Sequence, residues 1–161
     1  MVLKVADRGK MPPFIVMDVM QAASLRESKG GDVLHLEVGQ PSTKAPSKVI
    51  TAAKTALEND KLGYTPALGL LKLRADIAKH YKGWYGVDIP LERIVATKGS
   101  SAAFILSFMA AFDPGDRVVM ASPGYPAYRN ILQSLGITPI SILTELEHRF
   151  QPTVALLEEL Q

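Results

Sequence analysis

Apolar residues recur at helical spacing directly after a pair of prolines. Ile15, Val19, Ala22 and Leu25 follow Pro12 and Pro13, and Lys29, Gly30 and Gly31 supply a stop. A helix that opens on proline and closes at glycine is predicted there. The stretch VLHLEV then alternates, with Leu34, Leu36 and Val38 set against His35 and Glu37. That rhythm predicts a short half-buried strand running into the turn 39–41. From Ser47, the residues Val49, Ile50, Ala53 and Leu57 share one helical face ending near Asn59, and Leu70, Leu73, Ile77, Tyr81 and Trp84 share another over 70–85. The segment YTPALG between them, 64–69, is kept irregular by its proline and glycine.

The second half changes period. It predicts a strand over 94–97, a helix over 101–112, the turn DPGD, and a strand over 117–121. The turn SPGYP, a helix over 128–135, Gly136 and a strand over 137–143 follow. Strands alternating with helices of this length make βαβ units, so the fold class is α/β with a mainly parallel sheet. After the polar stretch TELEHRFQP, Val154, Leu156, Leu157 and Leu160 predict the start of one more helix. No stop signal precedes Gln161, so the expectation is a chain cut within an element.

Composition narrows the possibilities without choosing among them. The 161 residues are 47% apolar and 21% charged, the balance of a globular chain rather than a disordered one. With a net charge of +2 and no run of Lys and Arg, the footprint of a nucleic-acid binder is missing. The absence of cysteine removes disulfides, thiolate metal sites and cysteine nucleophiles together. The longest apolar stretch, 102–112, is interrupted by Ser107 and too short to cross a bilayer, and the first residues lack a signal-peptide pattern. The expectation is a soluble, cytoplasmic protein without nucleic-acid or membrane partners. His35, His80 and His148 are too dispersed for a metal site, and Glu145, Glu147, Glu158 and Glu159 read as a solvated face rather than a catalytic pair.

Two loops could carry chemistry. In ATKGSSAAF a strand runs into Gly99, Ser100 and Ser101 and a helix begins, so backbone amides and two hydroxyls meet the positive end of the helix dipole. That arrangement cradles phosphate; the plainer alternative is a serine N-cap. In SPGYPAY, at the carboxyl end of the next strand, Tyr125 could lie over a flat heteroaromatic group or simply pack on its own turn.

The order and spacing of LEVGQPS, GYTPALGLLKLR, IVATKGSSAAF and FDPGDRVVMASPGYPAY resemble the class I and II aminotransferases, pyridoxal-phosphate (PLP) enzymes of fold type I similar to aspartate aminotransferase. The resemblance implies that residues 1–45 are an N-terminal helix and small-domain segment, and that 46–161 begin the PLP-binding large domain. It implies that Gly99, Ser100 and Ser101 hold the cofactor phosphate and Tyr125 stacks on its pyridine ring. Tyr64 would reach the phosphate of a neighbouring subunit in a homodimer, and Gly39 would meet the substrate carboxylate. An amino acid and a 2-oxo acid are the implied substrates.

No catalytic residue is assigned, because the family's Schiff-base lysine, its pyridinium-pairing Asp and its carboxylate-gripping Arg belong to segments that the 161 residues do not contain. Lys98 adjoins the phosphate loop, but strand alternation points it away. The expectation is therefore an N-terminal fragment with an incomplete sheet, bare apolar faces and no activity of its own. Two alternatives remain: a non-catalytic product that binds PLP or phosphate weakly or pairs with a full-length relative, and an unrelated α/β nucleotide-binding domain. Against the second, neither G-x-G-x-x-G nor G-x-x-x-x-G-K-[ST] occurs.

Overall fold

A computed structural model describes residues 3–160, which divide into two compact units. One is built from the chain up to residue 35 and from 98 onward; the other spans 36–97.

The first unit is organised around a βαβ crossover. Strand β1 (Arg117–Ser122) pairs in parallel with β2 (Thr138–Leu143), with Val119 opposite Ile140 and Ala121 opposite Ile142. A parallel pair needs a crossover rather than a tight turn, and the helix Pro126–Ser134 supplies it. The ladder runs from Asp116, just before β1, to Thr144, just after β2: Thr138 N donates to Asp116 O at 2.8 Å and Thr144 N donates to Ser122 O at 2.8 Å. Even-numbered residues of β2 therefore bond β1. Pro139, an odd position with no N–H, faces the other way, which is where a proline in a strand is tolerated.

Buried Leu132 of the crossover helix, Ile137 just before β2 and Ile142 within it make the core of this unit. Thr144 is buried with them, and its hydroxyl bonds Ser122 O. The peptide bond between Ser122 and Pro123 is cis.

In chain order the helices are α1 (Ile15–Ser28), α2 (Ser47–Asn59), α3 (Leu71–Tyr85), α4 (Gly99–Ala111), α5 (Pro126–Ser134) and α6 (Val154–Glu158). Of these, α4 packs on α5, and the short 3-10 turn Asp7–Gly9 of the N-terminal arm also lies against α5. The helices predicted over 101–112 and 128–135 each start two residues earlier than expected, at Gly99 and Pro126. Gly99 takes φ +76° and Pro126 occupies the first turn, where its missing N–H costs nothing.

The second unit holds α2, α3 and a 3-10 turn, Leu91–Arg93. Arg74 joins the last two: its Nε donates to Ile94 O at 2.8 Å and its Nη2 to Leu91 O. The YTPALG loop closes on the same segment. Ala96 N donates to Leu68 O at 3.0 Å, and Gly69 sits at φ +95° with Ala96 Cβ only 2.7 Å from where a β-carbon would stand. Only glycine meets both the backbone angle and that close approach.

Two expected strands do not form. Residues 33–38 and 94–97 have the right alternation, but the sheet among the described residues contains β1 and β2 alone. Alternation marks which side chains face a core and does not by itself make a strand.

Candidate functional site

The amino end of α4 is built by Gly99. Its positive φ turns the incoming chain so that Ser100 and Ser101 enter the first helical turn, both exposed. The residue at the N-cap position is Lys98, and its side chain makes no capping hydrogen bond. Lys98 carries no acceptor to serve as a cap, and the positive end of the helix dipole at Ser100 and Ser101 favours an anion.

One turn further on, Phe104 follows Ser101 at i+3 and Ser100 at i+4, so the serines and this ring share a helix face. Phe104 packs on Tyr128 of α5 with ring centroids 4.4 Å apart, and Tyr128 meets Tyr125 edge-on at 5.3 Å and 71°. These rings, with Phe108, Val118, Met120 and Leu132, line an apolar hollow of about 290 Å³ between α4, β1 and α5. Ser100 and Ser101 are not part of its lining; they stand one turn above Phe104, at the open end of the helix that forms its wall.

Tyr125 is the N-cap residue of α5 and about half exposed. It stands where two hollows meet, the apolar one and a larger space of about 510 Å³ lined by Pro12, Phe14, Ile15, Ser122, Arg129 and Gln133 among others. The structure therefore brings Gly99, Ser100, Ser101 and Tyr125 into one unit, on adjacent packed helices. Gly39 and Tyr64 lie in the other unit, 36–97, both exposed and in irregular segments.

Residue-type reasoning missed Phe104 and Tyr128 as part of this site. The signal was present: each lies three residues after an expected site residue, Ser101 and Tyr125, on a helix. Among the described residues no group of three His, Asp or Glu side chains stands close enough to hold a metal ion. The two histidine–carboxylate pairs, His35 with Glu27 at 2.9 Å and His148 with Glu147 at 3.1 Å, are exposed surface contacts.

The donor set suits a phosphorylated heteroaromatic cofactor. Amides and hydroxyls at a helix start match a phosphate, and a half-exposed phenol ring beside an apolar hollow matches a flat ring.

The chain is similar to known aminotransferases. The family model of aminotransferase class I and II matches residues 31–161. A valine–pyruvate aminotransferase from Mycobacterium tuberculosis is 48% identical over 157 residues, covering 98% of this chain and 40% of the relative. A crystal structure of an aminotransferase from Mycobacterium tuberculosis superposes with a TM-score of 0.92 at 48% identity, covering 98% of this chain and 41% of that one. The aspartate aminotransferase of Thermus thermophilus with maleate gives 0.90 at 27% identity, with 98% and 42% covered. The chain spans about two fifths of the length of the relatives it matches. On the family match across four-fifths of its residues and the identity to aminotransferases over nearly all of them, this chain belongs to the class I and II aminotransferase family.

Proposed function

We propose that these residues form the coenzyme-gripping portion of a PLP-dependent aminotransferase that moves an amino group between an amino acid and a 2-oxo acid. The observation that carries the reading is the placement of exposed Ser100 and Ser101 in the first turn of α4, after Gly99 at φ +76° and one turn from the apolar hollow that Tyr125 borders. In this reading the amides and hydroxyls of Ser100 and Ser101 bind the phosphate. The ring of Tyr125 orients the pyridine, and Phe104 and Tyr128 exclude water beneath it. Pyridoxal phosphate supplies an electron sink that stabilises negative charge at the substrate's α-carbon. Gly39 meets the substrate carboxylate through its backbone, and the proton is shuttled by a lysine outside these 161 residues.

Tyr64, fully exposed, completes the phosphate site of a neighbouring copy, so the assembled enzyme is a homodimer. Residues 1–45 serve as arm and small-domain segment and 46–161 as the start of the large domain. The identity to a valine–pyruvate aminotransferase supports valine and pyruvate as the first pair to assay. The cytoplasm is the proposed location; no helix among the described residues is long and apolar enough to cross a membrane.

The direct test is equilibrium dialysis of the chain against PLP and against pyridoxal, which has the ring without the phosphate. PLP is expected to bind at least tenfold more tightly and to be displaced by inorganic phosphate. Equal affinity for the two, or no competition by phosphate, contradicts the reading.

A further inference from the structure

Tyr125 touches a second ring, from a part of the chain more than a hundred residues earlier. Phe14 meets it with centroids 6.4 Å apart and planes at 76°, an edge-to-face contact within the favourable range for aromatic pairs. The local sequence accounts for Phe14 being there. Pro12 and Pro13 fix two successive backbone φ angles, and Phe14 then holds the N-cap position of α1, its carbonyl accepting from Met17 N at 2.9 Å. The arm is anchored again further back, where the turn Asp7–Gly9 lies against α5, the helix that Tyr125 caps. A row of rings results, Phe104 to Tyr128 to Tyr125 to Phe14, running from the second turn of α4 to the arm.

We infer that Phe14 is a positioning residue, which holds the Tyr125 ring in its stacking orientation before the coenzyme arrives, so that docking of the N-terminal arm and coenzyme affinity are coupled. The inference rests on the assignment of Tyr125 as the ring that stacks on PLP. Its physical basis is preorganisation. A half-exposed tyrosine at the end of a loop samples several rotamers, and fixing one of them on ligand binding weakens binding by the entropy lost. Tyr128 restrains the ring from α5 itself, through residues only three apart. Phe14 supplies the restraint from a different segment, and about half of the Tyr125 surface stays open to a flat ligand.

The test uses the 161-residue chain. In the unliganded protein, nuclear Overhauser contacts between the Phe14 and Tyr125 rings are expected, and their absence overturns the inference. Phe14→Ala is expected to weaken PLP binding about two- to tenfold and to diminish the circular dichroism that the bound coenzyme acquires from its fixed surroundings. Phe14→Tyr restores both, and Phe14→Leu, which keeps bulk without a ring edge, does not restore the dichroism.

Tyr125→Ala separates the two claims. If it leaves PLP affinity unchanged, the stacking assignment itself is wrong. If it weakens binding while Phe14→Ala does not, the stacking stands and the role of Phe14 falls. In the double variant the losses are expected to be less than the product of the single ones, as for coupled residues. Independent, multiplying losses contradict the coupling.

Discussion

At the scale of single residues, two glycines decide where loops meet helices. Gly99 allows α4 to begin two residues before the helix expected from the apolar spacing, which moves both serines into the first turn, whose amides have no carbonyl partner within the helix. Gly69 allows the YTPALG loop to touch Ala96. Gly69→Ala would place a methyl group 2.7 Å from Ala96 Cβ and force a left-handed backbone angle on alanine. A loss of about 1–3 kcal/mol is expected in chemical denaturation, and a loss below a few tenths would show that the contact is not formed. These glycines could be found in the sequence as turn signals, but the direction in which each turn sends the chain could not. The same holds for the aromatic row. Phe104 and Tyr128 stand at helical spacing from Ser101 and Tyr125, yet nothing in the order of residues brings Phe14 to Tyr125.

At the scale of elements, α4 is apolar on every side. Phe104 and Phe108 face α5, while Ile105, Leu106 and Met109 are exposed. A helix apolar all round belongs to an interior, so its exposed face is one that further chain or a partner would be expected to cover. α3 is different: an exposed helix of mixed character, fixed to residues 91–94 by Arg74 and braced along its surface by Lys72 and Asp76, which pair at 2.8 Å one turn apart. The hydrogen bond from Lys72, with its charge, holds the Asp76 carboxyl below its ordinary 3.8 and raises the Lys72 ammonium above 10.5.

The sign of the pH effect follows. A depressed carboxyl pKa stabilises the folded helix above the ordinary value, and the contribution is lost as pH falls through the lowered one. A carbon-detected NMR titration of Asp76 is expected to give a midpoint below 3.8 that moves upward with added salt. A midpoint at or above 3.8 at low salt contradicts the pairing.

Helix positions were legible because their apolar spacing is local, and the βαβ crossover because two strands and a helix of the right lengths follow one another. The strands expected over 33–38 and 94–97 were not. Their alternation is real, but the backbone there is irregular, and alternation alone does not make a strand.

At the scale of the whole molecule, the family follows from the chain's likeness to its relatives, while the chemistry rests on a few residues held by packing. Among the described residues the buried apolar ones are few, Ile94, Leu132, Ile137 and Ile142, and long apolar side chains such as Leu34, Leu36 and Trp84 stand exposed. Such surfaces are costly in water and mark places where a protein expects a partner. The proposed homodimer, in which Tyr64 serves a neighbouring copy, is one such partner.

The claim on which the account turns is that the start of α4 and the ring of Tyr125 grip one molecule of coenzyme. An NMR titration of the isotope-labelled chain with PLP measures both at once. The amide signals of Ser100 and Ser101 and the ring signals of Tyr125 are expected to move together with a single dissociation constant, whereas inorganic phosphate moves the amides and leaves the ring. Amides that stay still, or amides and ring that respond at different PLP concentrations, would contradict it.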